Sequence, residues 1–220
     1  MGDVINQESK NNKDYNSFDK TVAALFVQHD GCYAAYDFFD AWPESRDARK
    51  YSGSMPVIAH PPCQLWGKMA RVNYARWGGE HNKPGNDRGC FKSALDSVNR
   101  CGGVLEHPAG SYAWGEHGLK KPVKGRWIES GAGWVCEVWQ SAYGHKANKA
   151  TWLYFVGPER PFDLDWSRPV GLHQIGFQDG RGKSRNKPTL NKREANATPL
   201  LFKEILVKLA SISLTGCQHA

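Results

Sequence analysis

Two side chains in this sequence have the chemistry of a nucleophile and its acid–base partner: Cys63 and Glu106. Cys63 stands in Val57-Ile58-Ala59-His60-Pro61-Pro62-Cys63-Gln64-Leu65-Trp66, where two prolines that cannot continue a β-ladder cut off a short apolar run. The thiol therefore falls at the carboxyl end of an expected strand, the edge where ligands collect in open α/β sheets. Held on a rigid turn, with Gln64 beside it and Trp66 close by, it can attack a flat electrophile. An isolated Pro-Cys is more often a buried, inert thiol, so the weight rests on what joins it. Val104-Leu105-Glu106-His107-Pro108 is a second apolar run stopped by proline, and it carries a carboxyl to the equivalent place.

The elements between them fix the geometry. Phe91, Ala94, Leu95, Val98 and Cys101 recur with helical spacing, and Gly102-Gly103 ends that helix. Strand, helix, strand at this spacing is a βαβ unit with parallel strands and a right-handed crossover. Cys63 and Glu106 are thus expected at one sheet edge, as nucleophile and acid/base. The stretch 67–90, with Arg71, Arg76, Trp77, Lys83 and Arg88, reads as a long loop able to cover a substrate.

Upstream, Thr21–Val27 is an expected strand ended by Gln28-His29-Asp30-Gly31. A cofactor-cradling turn would stand here, but Gly31 is its one glycine. Asp37, Asp40 and Asp47 follow, and an acid in that interval can bind a ribose hydroxyl, though solvated loop carboxylates are commoner. Downstream, 109–133 reads as irregular and basic, with Lys120, Lys121, Lys124 and Arg126. Trp134–Gln140 and Thr151–Val156 read as a hairpin around a polar turn at 143–149. Arg181, Lys183, Arg185, Lys187, Lys192 and Arg193 form the densest basic cluster and suit backbone phosphates, as would any solvated loop. Gly182-Lys183-Ser184 lacks the earlier glycine of a phosphate loop. Thr198-Pro199 has the cap and first-position signature of a last helix, with Leu201, Ile205 and Leu209 as the stripe that packs on the sheet.

Composition sets the bounds. A chain of 220 residues is long enough for one α/β domain with a proper core. Its 29 Lys plus Arg against 22 Asp plus Glu, a formal charge of +7, favours a polyanionic partner. Nine Trp, eight Tyr and nine Phe offer flat surfaces for stacking, although most large aromatics fill cores. The six cysteines, at 32, 63, 90, 101, 136 and 217, make no Cys-x-x-Cys pair and read as reduced intracellular thiols. Residues 1–19 read as a loose polar arm. With no membrane span or signal segment to read, a cytoplasmic protein is expected.

Four blocks then stand in a recognisable order: Pro62-Cys63-Gln64, Glu106-His107-Pro108, Tyr143-Gly144-His145-Lys146-Ala147-Asn148-Lys149-Ala150-Thr151, and Ala195-Asn196-Ala197-Thr198-Pro199. Over residues 55–212 the chain resembles the DNA cytosine-5 methyltransferases, especially their short phage-encoded relatives, whose blocks read Pro-Cys-Gln, Glu-Asn-Val, Tyr-Gly-x-x-Gln-Asn-Arg-x-Arg and Gly-Asn-x-x-Pro. The resemblance implies an α/β fold with a Rossmann-like methyltransferase sheet, mostly parallel with an antiparallel hairpin, and helices on both faces. It implies one domain over 20–215 with a small basic insert at 157–194. Cys63 and Glu106 would be catalytic; Gln64, His107, Asn148, Lys149 and Thr151 would touch the substrate. S-adenosylmethionine would lie against Gly31, Asp37, Asp47, Pro61 and Asn196. DNA would be the partner, inside a bacterial host cell if the chain is phage-encoded.

The chain departs from that pattern in three places. No Phe-x-Gly-x-Gly turn occurs between Phe26 and Cys32, Glu-Asn-Val is Glu-His-Pro, and Lys149 and Thr151 stand where two arginines are usual. Thr151 cannot replace a guanidinium. Two alternatives stay open: a methyltransferase fold that only binds DNA or blunts restriction, and a pyrimidine nucleotide enzyme with another donor. The second is suggested by thymidylate synthase and the nucleotide hydroxymethylases, which also place cysteine after two prolines.

Overall fold

The structure is a computed structural model describing residues 21–34, 36–175 and 187–213. The arm at 1–19, Arg181, Lys183, Arg185 and Cys217 lie outside the described residues.

Seven strands form one mixed sheet: β1 (Val22–Val27), β2 (Phe39–Pro43), β3 (Val57–Ala59), β4 (Gly103–Pro108), β5 (Ile128–Ser130), β6 (Gly133–Trp139) and β7 (Ala150–Val156). They lie in the order β2-β1-β3-β4-β7-β6-β5. The first four are parallel, and β7 runs antiparallel to both β4 and β6. The expected β6–β7 hairpin is present, with β7 inserted against β4. Parallel and antiparallel ladders are equal in number, because β5 adds a third antiparallel pairing at the far edge. β2 and β5 escaped sequence reading for the same reason. Each is a short edge strand with one covered face, and Pro43 ends β2 where an edge tolerates proline.

Helices cover both faces. Along each strand alternate side chains enter opposite cores. Leu25, Val57, Ala59 and Leu105 meet Phe91, Leu95 and Val98 of the helix Cys90–Cys101 on one face. Val22, Ala24, Ile58 and Val104 meet Phe202, Leu206 and Leu209 of the last helix, Leu200–Ile212, on the other. The last helix is rotated from its expected stripe. Phe202 and Leu206 point inward, while Leu201 is exposed and Ile205 only half-buried. Its apolar residues run most of the way round, so spacing alone did not choose a face. Pro199 rather than Thr198 takes the cap position, and no side chain caps it.

Three further helices were not expected: Lys68–Trp77, Ala113–Glu116 and Lys192–Asn196. Residues 67–90 are not one loop, because Lys68–Trp77 is helical between Gly67 and Gly78-Gly79. We number the helices in chain order: α1 (Lys68–Trp77), α2 (Cys90–Cys101), α3 (Ala113–Glu116), α4 (Lys192–Asn196) and α5 (Leu200–Ile212). α1 buries only Ala70, so it carries no apolar stripe to read. α4 opens with a reciprocal capping box between Asn191 and Glu194, a signal present in the sequence as Asn-x-x-Glu.

The α2–β4 junction depends on Gly103. Its φ is +115°, and a Cβ there would stand 2.0 Å from the Val57 carbonyl oxygen across the β3–β4 ladder. Gly103→Ala should destabilise the fold by ~3 kcal/mol or more, through backbone strain and forced separation of two core strands. Urea denaturation of the variant checks this, and a loss under ~1 kcal/mol would show that the junction relaxes freely.

Candidate active site

The direction of the chain reverses around β1: β2 pairs on one side of it and β3 on the other. The crevice above the carboxyl ends of β1 and β3 is therefore a topological switch point, the usual ligand position in such sheets. β1 ends irregularly there, with Phe26 at φ +59° and a register shift between Leu25 and Val27. His60 donates its backbone N–H to the Leu25 carbonyl at 3.1 Å, and the prolines then turn the chain away. Because Ala59 pairs with Leu105, the next residue of β4, Glu106, arrives beside His60.

Glu106 is the centre of a bonded chain. Its Oε2 meets His60 Nδ1 at 2.9 Å, and its Oε1 accepts from Gln140 Nε2 at 3.1 Å. Gln140 Nε2 also donates to Thr151 Oγ1 at 3.0 Å. On the far side of the imidazole, Nε2 lies 2.9 Å from the Tyr33 hydroxyl. Burial pushes the Tyr33 phenol well above its ordinary range, with charge on Cys32 and Glu106 adding to it. Tyr33 therefore keeps its proton, its hydroxyl can donate to Nε2 or accept from it, and Nδ1–H is the side of the ring that faces the Glu106 carboxylate.

The side chains of His60 and Glu106 are 16% and 12% exposed. Burial pushes the Glu106 carboxyl up, but the His60 hydrogen bond and charge, with Lys149 and His107 behind them, outweigh it and hold the group below its ordinary range. Cys63 is half-buried. Burial and then the Glu106 charge push its thiol up, against a smaller opposing pull from Lys149. Lys149 is itself lowered by burial and partly restored by Glu106 and Cys63. Its ammonium donates to the carbonyls of Asn196 and Ala197 at 3.4 and 3.3 Å, tying the hairpin turn to the entry of α5. Thiol, carboxylate and ammonium are thus electrostatically coupled at one edge of the sheet.

Other expected site residues go elsewhere. His107 follows Glu106 on β4 and so faces the opposite side of the sheet. It is 1% exposed between the rings of Phe91 and Trp114, and takes a core position instead of touching a substrate. Thr151, expected against the substrate, is fully buried and holds Gln140 and the Lys149 carbonyl, so it positions the network from within the core. Asp47 does not offer its carboxylate to a ribose. It sits at φ +52° in a turn, and Arg49 engages both carboxylate oxygens at 2.7 and 2.9 Å.

Gly31 closes a turn in which its own N–H is used by the Gln28 carbonyl. Asp37 and Asn196 are exposed, and Pro61 is buried. Asn148 is exposed and accepts the Gly171 N–H at 2.6 Å, which fastens the 157–175 segment to the hairpin turn. Gln64 is exposed and lines a cavity of about 520 Å³ with Pro62, Asn86 and Arg88.

Tyr33, the role of His60, and Gln140 were not legible beforehand. Each comes from a different part of the chain and meets Glu106 only through the strand order.

Two predictions follow from these electrostatics. Burial holds the His107 ring near pKa 4, against 6.5 ordinarily, over the opposing pull of Glu106 and the Pro62 backbone. The folded state therefore resists a proton that the unfolded chain accepts. Stability should be full above pH 6.5 and fall by ~3 kcal/mol as pH drops towards 4. Buried His145 is lowered too and acts in the same direction, so the readout is a difference between proteins. His107→Phe should remove that share of the acid loss in urea titrations across this range, and an unchanged slope would refute it.

Glu106→Gln removes the charge opposing the Cys63 thiolate. Peptide-mapped alkylation by iodoacetamide at pH 8 should then be faster at Cys63 than in the parent protein. An equal or slower rate would show that the two groups are not coupled.

No protein-family model matches the chain, and no curated protein and no solved structure matches it.

Proposed function

We propose that the protein is a DNA-modifying transferase in which Cys63 adds to C6 of a cytosine and a methyl group passes to C5. The observation that carries this reading is the convergence of Cys63, Glu106 and Lys149 at the carboxyl edge of β3 and β4, with both Glu106 oxygens bonded. The parallel strands with a switch point, the inserted antiparallel strand and helices on both faces support a Rossmann-like methyltransferase sheet.

The chemistry follows from the charges. An unactivated cytosine C5 is a poor nucleophile, and addition of a thiolate to C6 makes it a good one. The sulfur–C6 bond forms while the C5=C6 π pair shifts towards C4 and N3, and N3 takes up a proton. Glu106 begins as a carboxylate, and its charge is what most opposes the Cys63 thiolate after burial itself. Because the carboxyl is held below its ordinary range and the thiol above it, the proton passes from Cys63 to Glu106 only as the sulfur–C6 bond forms and N3 draws a proton onward from the carboxyl. Thiolate formation and arming of the acid are then one event. His60 and Gln140 fix where that carboxyl points and how readily it holds the proton. Once C5 carries the methyl group and the donor has left as a thioether, loss of the C5 proton to a base restores the C5=C6 bond and expels the sulfur as a thiolate, and N3 gives its proton back to Glu106.

The methyl donor has to lie over the carboxyl ends of β1 and β2. The turn there supplies a single glycine, whose N–H is already used, so a glycine cradle for the cofactor is not provided. The donor set that remains is acidic: Glu44 just beyond β2, and Asp37 in the connection before it. Carboxylates suit a ribose diol, and in that respect the edge fits S-adenosylmethionine. That cofactor supplies an electrophilic methyl group on a sulfonium. Such a protein works beside DNA in the cytoplasm, without crossing a membrane; among the described residues no helix is long and apolar enough to do so.

The test uses 5-fluorocytosine, because fluorine cannot leave C5 as the proton does. Incubation of protein, S-adenosylmethionine and DNA bearing this base should give a protein–DNA adduct that survives denaturing electrophoresis. Cys63→Ser should retain the fold and form none. An adduct of equal yield in Cys63→Ser, or none in either protein, would end this reading.

A further inference from the structure

α1 stands apart from the rest of the fold. Met69, Val72, Tyr74 and Trp77 are 60, 52, 41 and 63% exposed on a ten-residue helix that buries one alanine. A helix so short has little stability of its own in water, and here the packing that normally supplies it is slight. Its charge has one sign: Lys68, Arg71 and Arg76, with no acidic residue. Two of these cations lie over rings. Arg71 is 4.9 Å from the centroid of Tyr112, itself 39% exposed, and Arg76 is 5.1 Å from that of Trp77. Each pair sets a guanidinium against an exposed aromatic ring.

Two adjoining cavities run from Arg71 and Tyr112 to the chain neighbours of Cys63. One of about 360 Å³ opens between Arg71, Tyr112 and Lys83. The other, of about 520 Å³, shares Leu65, Glu80 and Asn86 with it and reaches Pro62 and Gln64, the neighbours of Cys63. The acids nearby are Glu80, Asp87 and Glu116. Lys83 pairs with Glu80 at 3.5 Å, and Asp87 is used by Trp66 Nε1 and the backbone entering α2. Glu116 is exposed at the rim.

Exposed rings paired with guanidinium groups, on and beside the helix whose Arg71 borders one of two adjoining cavities, match a ligand that offers successive base faces on an anionic backbone. A duplex hides those faces in its stack and shows edges and phosphates. α1 carries one amide, Asn73, among apolar and basic residues, and so is poorly equipped to read edges.

We infer that the DNA bound at this site is single-stranded, with bases beside the target stacking on Tyr112 and Trp77 and flanking nucleotides entering the two cavities. The inference rests on the reading of Cys63 as a nucleophile towards a pyrimidine of DNA. It removes the need to extrude the target from a duplex, since an unpaired base is already free.

The test is fluorescence anisotropy with a labelled cytosine-containing oligonucleotide of about fifteen nucleotides, used as single-stranded DNA, as duplex and as RNA of the same sequence. Single-stranded DNA should bind at least about tenfold tighter than duplex and tighter than RNA. Trp77→Ala and Tyr112→Ala should each weaken it by roughly five- to a hundredfold, Tyr112→Phe should not, and duplex binding should not respond. Duplex or RNA binding as tight as single-stranded DNA would overturn the inference, as would full affinity in the Trp77→Ala/Tyr112→Ala double variant with a native circular dichroism spectrum. C5 methylation of the same oligonucleotides separates the two claims. Strand preference without methylation leaves the binding surface and removes the enzyme, and methylation with equal binding of both strand states does the reverse.

Discussion

A carboxylate that is mostly shielded from water has to be compensated, and the arrangement around Glu106 is largely the means of doing so. β3 delivers His60, the segment after β1 delivers Tyr33 behind it, and the β6–β7 connection delivers Gln140, which Thr151 of β7 steadies. Removing one partner from such a buried charge costs about 3–5 kcal/mol, far more than a surface pair contributes. The network therefore constrains three distant stretches of chain at once. It also orients the imidazole, since a Glu106 carboxylate needs the Nδ1 proton and the Tyr33 hydroxyl meets the ring on its other side.

The same charge shapes the chemistry open to Cys63. A half-buried thiol beside a carboxylate is a poor thiolate in the resting protein, which also protects it from adventitious oxidation. The proposed reaction requires that proton to reach the carboxyl, because only then is the opposition to a thiolate removed. Lys149 adds the one opposing charge, and its hold on the carbonyls before α5 ties this balance to the far end of the chain. The site is thus an electrostatic triangle, and its corners come from two strand ends and a hairpin turn.

Around this rigid centre the surface is of a different kind. The sheet is covered on both faces by side chains with almost no exposure, whereas α1 leaves its large side chains in water beside the nucleophile. Asp87 sets the boundary between the two regimes: it binds Trp66 on one side and the first turn of α2 on the other, so the exposed segment hangs from a fixed anchor.

Much of the frame was written in local pattern. The apolar runs stopped by proline, the stripe ending at Gly102-Gly103 and the alternating hairpin specified β3, α2, β4, β6 and β7, because each has a period or a breaker that neighbours alone can impose. The βαβ rule was enough to bring Cys63 and Glu106 to one edge. It did not reveal that His107 would turn into the aromatic core or that Thr151 would be sealed, since burial depends on which strand lies alongside. It could not place α1, whose residues lack a stripe because they have no core to face. Nor could it join Tyr33, His60 and Gln140 to Glu106, since hydrogen bonds between residues 27 to 46 positions apart leave no periodic trace. The sequence by itself determined that a thiol and a carboxyl share one sheet edge, and which strands carry them. Only the tertiary structure decided the partners that set their charge, because those partners are chosen by strand order.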